Sequence, residues 1–328
     1  MFSKKSAESE ETPEVKSQES VRPVPKPIPQ MDFDPAFSPT CIIDLKKVVH
    51  SIHESKGHAP DPEDSIDLSS SQPNKLLDAI VEEAHLLRQS EAKPDMIAPI
   101  LMNKLGYDET TVFGKAAIDI SELAGRIAHQ PTYHNPQHIT EVILAAFCLG
   151  LREHLSSNQT AELVIAAAAH DLGHTGGVNQ TPYALETRSY EIGYPLMLEA
   201  GMQEKEIERV GQMIMSTDFA NGVPIVRENY LHLKSQGDEA NPETLGVAAQ
   251  CLILTEADIL FSCFNETYNE MLSDLLSVEW KKGRSLNFDE RIGFLNSVKF
   301  VSEASSQLGL EQRRLELIRS LKEKKSSQ

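Results

Sequence analysis

The residues best equipped for chemistry cluster between Ala166 and Asn179, in AAAAHDLGHTGGVN. Three side chains stand out there: His170, Asp171 and His174. Imidazole nitrogen beside carboxylate oxygen suits divalent cations of borderline or hard character, such as Zn²⁺, Mn²⁺ and Mg²⁺. The small apolar run Ala166 to Ala169 predicts a helix buried on every side. Four positions separate His174 from His170, so a helix running on would project both from one face. Gly173, Gly176 and Gly177 then end it and let the backbone approach its neighbours closely.

Three further stretches carry groups of the same kind. They are Tyr133, His134 and Asn135 with His138; MSTD ending at Asp218; and LTEAD ending at Asp258. A histidine, a His-Asp pair and a distant aspartate on separate helices can meet in a bundle core around one ion. Asp171, with two oxygens, could bridge to a second ion completed mainly by water. Two such cations can hold a bridging hydroxide that attacks phosphorus while they neutralise the developing phosphoryl charge. Without a cation, an aspartate buried beside two histidines would be costly.

The surrounding sequence must supply the helices that hold these groups. Apolar residues recur at helical intervals over 76–89 and 113–129, after Pro131, and from Thr160, where Thr160 and Glu162 hint at a start signal. Pro94 and Pro99 bracket a break. Downstream, 190–200, 205–216, 246–260, 264–278, 289–308 and 312–322 read as helices, and 222–241 as a loop or broken helix. No strand-type alternation and no internal repeat appears. The expectation is an all-α fold with one compact multi-helix domain over 75–328. Ahead of it lies a variable segment over 41–74, with helical spacing at 41–53 and loop composition at 56–74. Residues 1–40 are rich in Ser, Glu, Lys and Pro, include VRPVPKPIPQ, and are expected to be a disordered tail.

Composition narrows the partners. The chain has 328 residues and a net charge of −18. That argues against nucleic-acid polymers and anionic membranes, which want a basic face. It allows a small phosphorylated substrate whose charge is met by metal ions. Cys41, Cys148, Cys251 and Cys263 are scattered and read as reduced thiols, buried where they fall in apolar runs. No apolar stretch reads as a membrane span, and MFSKKSAESEE lacks a signal-peptide core. A soluble, cytoplasmic protein is expected. The sequence allows a homodimer, and a docking partner for the proline run, although a plain tail is the simpler reading.

Taken in order, YHNPQH, HDLGHTGGVNQ, MIMSTDF and LTEAD resemble the motif series of the HD-domain metal phosphohydrolases. Within that superfamily they are similar to the class I 3',5'-cyclic nucleotide phosphodiesterases, with YHNxxH, HDxxHxGxxNQ, (L/I)ATDM and xxAD. The likeness is good from Tyr133 to Asp258 and looser in the flanking helices. An isolated HD says little; YHNxxH followed by HDxxHxGxxN is specific. The resemblance implies an HD/PDEase-type catalytic domain that hydrolyses a phosphate ester, by default a 3',5'-cyclic nucleotide to its 5'-monophosphate. It implies that His138, His170, Asp171 and Asp258 bind the tighter ion, usually zinc in the family. Asp171 would bridge to the second, usually magnesium or manganese. His134 would be the general acid for the leaving 3'-oxygen, a task suited to histidine. His174 would contact phosphate or a metal-bound water, and Glu186 would hold waters near the ions. Asn179 would fix the turn after the metal helix, and Asp218 would orient a histidine.

The chain departs from that pattern where the base is read. The family's QxxF becomes Arg291-Ile-Gly-Phe294, replacing an amide by a guanidinium that only donates. Phe261 stands where an asparagine follows the last metal aspartate. These changes weigh against the purine cyclic nucleotides. They leave as alternatives a phosphohydrolase for another nucleotide or small phosphoester, or a catalytically silent metal-binding scaffold. On its own terms Arg291, beside Asp289 and Glu290, reads as a solvated charge, and Phe294 fits a core aromatic as well as a stacking residue. The remaining histidines (His50, His53, His58, His85, His129, His154, His232) read as surface or packing residues.

Overall fold

The computed structural model describes residues 73–127 and 132–327. The expected tail over 1–40 and helix over 41–53 lie outside the described residues, as do Cys41, His129 and nearly all of the 56–74 loop. Pro73 and Asn74 already belong to the first helix.

Among the described residues thirteen α-helices follow in order: α1 (Pro73–Gln89), α2 (Pro94–Lys104), α3 (Val112–Ile127), α4 (Pro136–Arg152), α5 (Ser157–Ala169), α6 (Ala184–Ala200), α7 (Glu204–Ser216), α8 (Gly222–Ser235), α9 (Pro242–Phe264), α10 (Glu266–Glu279), α11 (Phe288–Ser297), α12 (Glu303–Leu308) and α13 (Leu310–Ser326). One 3₁₀ turn, Gly237–Glu239, precedes α9. No strand forms among the described residues. The all-α expectation stands.

Helices α4, α5 and α9 form the centre. Helix α5 packs against α3, α4 and α7, and α9 against α4, α7, α8 and α10. Every residue of α5 from Thr160 to Ala169 is buried, and the four alanines at its end are fully inaccessible. Side chains that small let neighbouring helices approach closely, which suits the element that delivers His170 and Asp171. The starts of α4 and α5 are set by side-chain caps. Asn135 caps α4 by accepting from His138 N at 3.0 Å, with Pro136 in the first turn. Ser156 and Gln159 form a capping box on α5.

Several elements differ from the sequence reading. The start of α5 is Ser156 with Gln159, one turn before the Thr160 and Glu162 signal. The Pro94/Pro99 break is not there: Pro94 opens α2 and Pro99 lies inside it. Most of 222–241 is the regular helix α8. The single helix read over 289–308 is two, α11 and α12, separated by extended Val298 and recapped by Ser302. Helix α9 is long and apolar enough to cross a membrane, contrary to the sequence reading. Its most apolar window is 89% buried by the rest of the fold. Cys148, Cys251 and Cys263 are buried, and burial pushes the Cys251 thiol up to about 12.

Candidate active site

The histidine of α4, the end of α5 and the middle of α9 converge on one point. His138 Nε2 lies 3.0 Å from Asp258 Oδ1 and 3.4 Å from Asp171 Oδ2. His170 Nε2 lies 3.3 Å from Asp171 Oδ2 and 3.7 Å from Asp258 Oδ1. His170 Nδ1 contacts the Ala167 carbonyl at 2.7 Å, so its proton sits on Nδ1 and the Nε2 lone pair faces the aspartates. His138 Nε2, His170 Nε2 and Asp171 Oδ2 are buried and none has a hydrogen-bond partner. Buried polar atoms are rarely left in that state. Their donor set, two imidazole nitrogens with carboxylate oxygens close around them, fits a divalent cation.

The electrostatics agree with a cation position. Burial alone would push His138 down, but the Asp171 and Asp258 carboxylates outweigh it and raise it to about 9. His170 is raised well above its usual value by the same two groups. Asp171 and Asp258 are held low against their own burial, by the neighbouring imidazoles of His170 and His138. Two carboxylates here draw in positive charge, and a metal ion would supply it without protonating the imidazoles.

A second cluster adjoins the first. His134 Nδ1 donates to Glu279 Oε1 at 2.6 Å, and the backbone N–H groups of Tyr133 and His134 donate to Glu279 Oε2 at 2.8 and 3.1 Å. Glu279 closes α10 and is buried. Burial works against its charge, but the hydrogen bond from His134 holds it below the ordinary carboxylate value. The His174 ring stacks on His134 with centroids 3.6 Å apart. Gly176 N donates to His174 Nδ1 at 3.1 Å, and burial lowers His174 to about 4, so this imidazole is neutral with its proton on Nε2. Histidine 174 is therefore brought to the site, but not from the same helical face as His170. Helix α5 ends at Ala169, and His174 stands on the loop that follows.

That loop is held by Asn179, Glu186 and Asp218. Asn179 Nδ2 donates to Glu186 Oε2 at 2.8 Å and Asp218 Oδ2 at 3.1 Å, and Asn179 Oδ1 accepts from Leu185 N at 2.8 Å. Asp218 also accepts from the backbone N–H groups of Tyr183, Ala220 and Asn221. The expectation that Asp218 orients a histidine is corrected: its carboxylate pins backbone amides and Asn179. Glu186 is buried, and burial raises its carboxyl.

Two other expectations change. Arg291 is not a solvated charge, for it is only 6% exposed and its Nε donates to Asn269 Oδ1 at 2.6 Å. Phe261 is a core residue, 3% exposed and packed against Tyr268, because α9 runs on past Asp258 to Phe264. Phe294 is half-buried and stacks on Phe219 at 5.6 Å. The sequence reading missed Glu279, which lies 145 positions from His134 in a stretch of plain helical spacing. The one available signal was that His134 lacked a carboxylate partner.

No known family's sequence profile matches the chain, and no curated protein sequence matches it. Solved structures do. The chain is similar to LmjPDEB1 in complex with IBMX, at 14% identity and a TM-score of 0.54, over 86% of this chain and 96% of that one. It is also similar to the phosphodiesterase domain of the RhoPDE fusion protein from the choanoflagellate Salpingoeca rosetta, at 17% identity and a TM-score of 0.50, over 82% and 94%. The chain thus has the fold of a phosphodiesterase catalytic domain.

Proposed function

We propose that the protein is a metal-dependent phosphodiesterase whose default substrate is a 3',5'-cyclic nucleotide. The observation that carries this reading is the set of buried, unpartnered donor atoms on His138, His170 and Asp171, with Asp258 beside them and His134 next door. His138, His170, Asp171 and Asp258 would hold a tight cation of the zinc class, and Asp171 would share a second of the magnesium or manganese class. Bound divalent cations supply a nucleophile from water at neutral pH and neutralise charge on a phosphoryl group.

The protein's own groups do the rest. Glu279 fixes the His134 ring through Nδ1 and leaves Nε2 to carry the mobile proton. Held in that orientation, the ring as imidazolium delivers a proton from Nε2 to the leaving 3'-oxygen. Neutral His174, stacked on that ring, adds a donor at Nε2 without a competing charge. The substrate is a small anionic phosphoester, and a cytoplasmic location belongs to the same reading.

The test is hydrolysis of cyclic AMP, cyclic GMP and bis(p-nitrophenyl) phosphate by the purified protein with added Mn²⁺ or Mg²⁺. Turnover of a cyclic nucleotide supports the reading. Turnover of the generic ester alone would assign a working centre to another phosphoester. No turnover of any of the three, with metal bound, would contradict an enzymatic role.

A further inference from the structure

Helices α6, α7 and α8 enclose a cleft of about 510 Å³, with Cys251 of α9 also in its lining. That volume is typical of small-molecule sites, which run from about 300 to 1,000 Å³. Met215, Ile225, Val226 and Cys251 give the cleft apolar walls. Burial keeps the Cys251 thiol protonated, so it adds no charge there. None of the lining residues is among His138, His170, Asp171 and Asp258, yet the cleft backs onto the loop that carries His174. The Tyr183 N–H donates to Asp218 Oδ2 at 2.8 Å, the same oxygen that accepts from Asn179. Gly222, also in the lining, donates its N–H to the Asp218 carbonyl at 2.7 Å.

Three features of the cleft select a ligand class. Two aromatic residues stand in its wall, Tyr183 and Tyr190, and neither hydroxyl has a hydrogen-bond partner among the described residues. The Tyr190 ring is seated on the bare backbone of Gly211, where an added Cβ would lie 2.8 Å from a ring carbon. Tyr183 takes a left-handed backbone, φ 63°, which is costly outside glycine and which its bond to Asp218 helps to hold. The charged residue of the lining is Glu208, whose carboxylate enters no ion pair or hydrogen bond among the described residues, and no Lys, Arg or His lines the cleft. Burial raises the Tyr190 hydroxyl, and the nearby Glu204 and Glu208 carboxylates add to the rise. Ile225 is 60% exposed, a large apolar side chain that the core does not use. Aromatic faces beside a carboxylate attract a cation, and apolar walls hold a hydrophobic body. The same groups repel anions, so a second nucleotide or a fatty acid does not suit the cleft.

We propose that this cleft binds an organic cation, an amine or quaternary ammonium on an apolar body, at a site separate from the metal centre. The tyrosine rings and Glu208 take the charged head, and Met215, Ile225, Val226 and Cys251 pack the body. The proposal goes beyond the phosphodiesterase reading and does not rest on it.

The experiment titrates 4-phenylbutylamine, 4-phenylbutanol and 4-phenylbutyrate into the purified full chain, followed by ligand-observed NMR. The three share one body and carry a positive, a neutral and a negative head at neutral pH. Zn²⁺ and Mg²⁺ are present throughout, so that the acidic metal centre does not take up the amine itself. The amine is expected to saturate with a Kd of about 1 mM or tighter, roughly tenfold below that of the alcohol, and the butyrate not to saturate. Glu208→Gln should bring the amine to the affinity of the alcohol. Ile225→Lys, which sets a like charge in the lining, should abolish amine binding. Both positions are exposed, so the fold should be kept, with circular dichroism as the check. An amine that does not saturate, or an alcohol that binds as well, overturns the proposal. So does amine binding that both variants leave intact, since the ligand then sits elsewhere. None of these results bears on the phosphodiesterase reading, which phosphoester turnover tests separately.

Discussion

His134 is made useful by Glu279, which takes the Nδ1 proton and two backbone N–H groups and so fixes the ring. Replacing it should hurt catalysis while sparing the metal. Glu279→Gln is expected to lower kcat by roughly 10–10²-fold, and His134→Ala by roughly 10²-fold or more, with metal content unchanged in both. A fully active His134→Ala would end the general-acid assignment. Protons should also compete with the cation. His138 stands at about 9 in the metal-free site and His170 is raised too. A cation needs both neutral, so below these values it must displace protons. Affinity for Mn²⁺ or Zn²⁺, measured by calorimetry between pH 6 and 9, should rise with pH, about tenfold per unit for each proton released. A flat profile would contradict the ligand roles of the two histidines. For the metal-free fold the sign is reversed: raised histidines stabilise it most below their ordinary 6.5, and that contribution fades as pH climbs through about 9. These two histidines were legible in the sequence because YHNPQH and HDLGH set them at short, fixed spacings. Glu279 was not, because its pairing arises only when α10 folds back on the start of α4. Arg291 was misread because its acidic sequence neighbours suggested solvent, whereas Asn269 and Phe288 enclose it.

At the level of elements, the loop after α5 sets where Asp171 and His174 stand, and it is clamped against α6. Gly173 N donates to Ser189 Oγ at 2.9 Å. A Cβ on Gly173 would lie 2.7 Å from Ser189 N and 2.9 Å from the Arg188 carbonyl carbon, both backbone atoms that cannot swing aside. Gly173→Ala should therefore cost about 1–3 kcal/mol, lower Tm by roughly 2–12 °C and weaken metal binding. Gly177→Ala, whose Cβ meets nothing within 4 Å, is the matched control and should leave both unchanged. An unaffected Gly173→Ala would mean that the loop is not clamped this way. The sequence marked these glycines as close approaches but extended the helix too far. Four alanines and a four-residue His spacing fit a longer α5, and nothing local showed the chain turning off at His170. Helix α8 was missed because Gly222 and Pro224 look like breakers, yet both fall in its first turn, where the backbone donors are unpaired in any case.

For the molecule as a whole, helical spacing without strand alternation was enough to foresee an all-α domain, and the structure adds how the helices share one core. Helix α9 has the length and apolarity of a membrane span because its faces are covered by neighbours, not lipid. It also carries Asp258, so the longest buried element supplies the carboxylate that meets His138, His170 and Asp171 from farthest along the chain. The overall path resembles that of two phosphodiesterase structures along most of their length at only 14% and 17% identity. In the proposed function, four side chains from three separated stretches hold a cation that drives phosphodiester cleavage. The decisive experiment is metal content by mass spectrometry together with phosphodiester turnover, on the wild-type protein and on Asp258→Ala. The wild-type protein should retain tightly bound metal and turn over when Mn²⁺ is added, and Asp258→Ala should lose both together. Full turnover in Asp258→Ala, or wild-type turnover after complete chelation, would contradict a metal-driven reaction at these four residues.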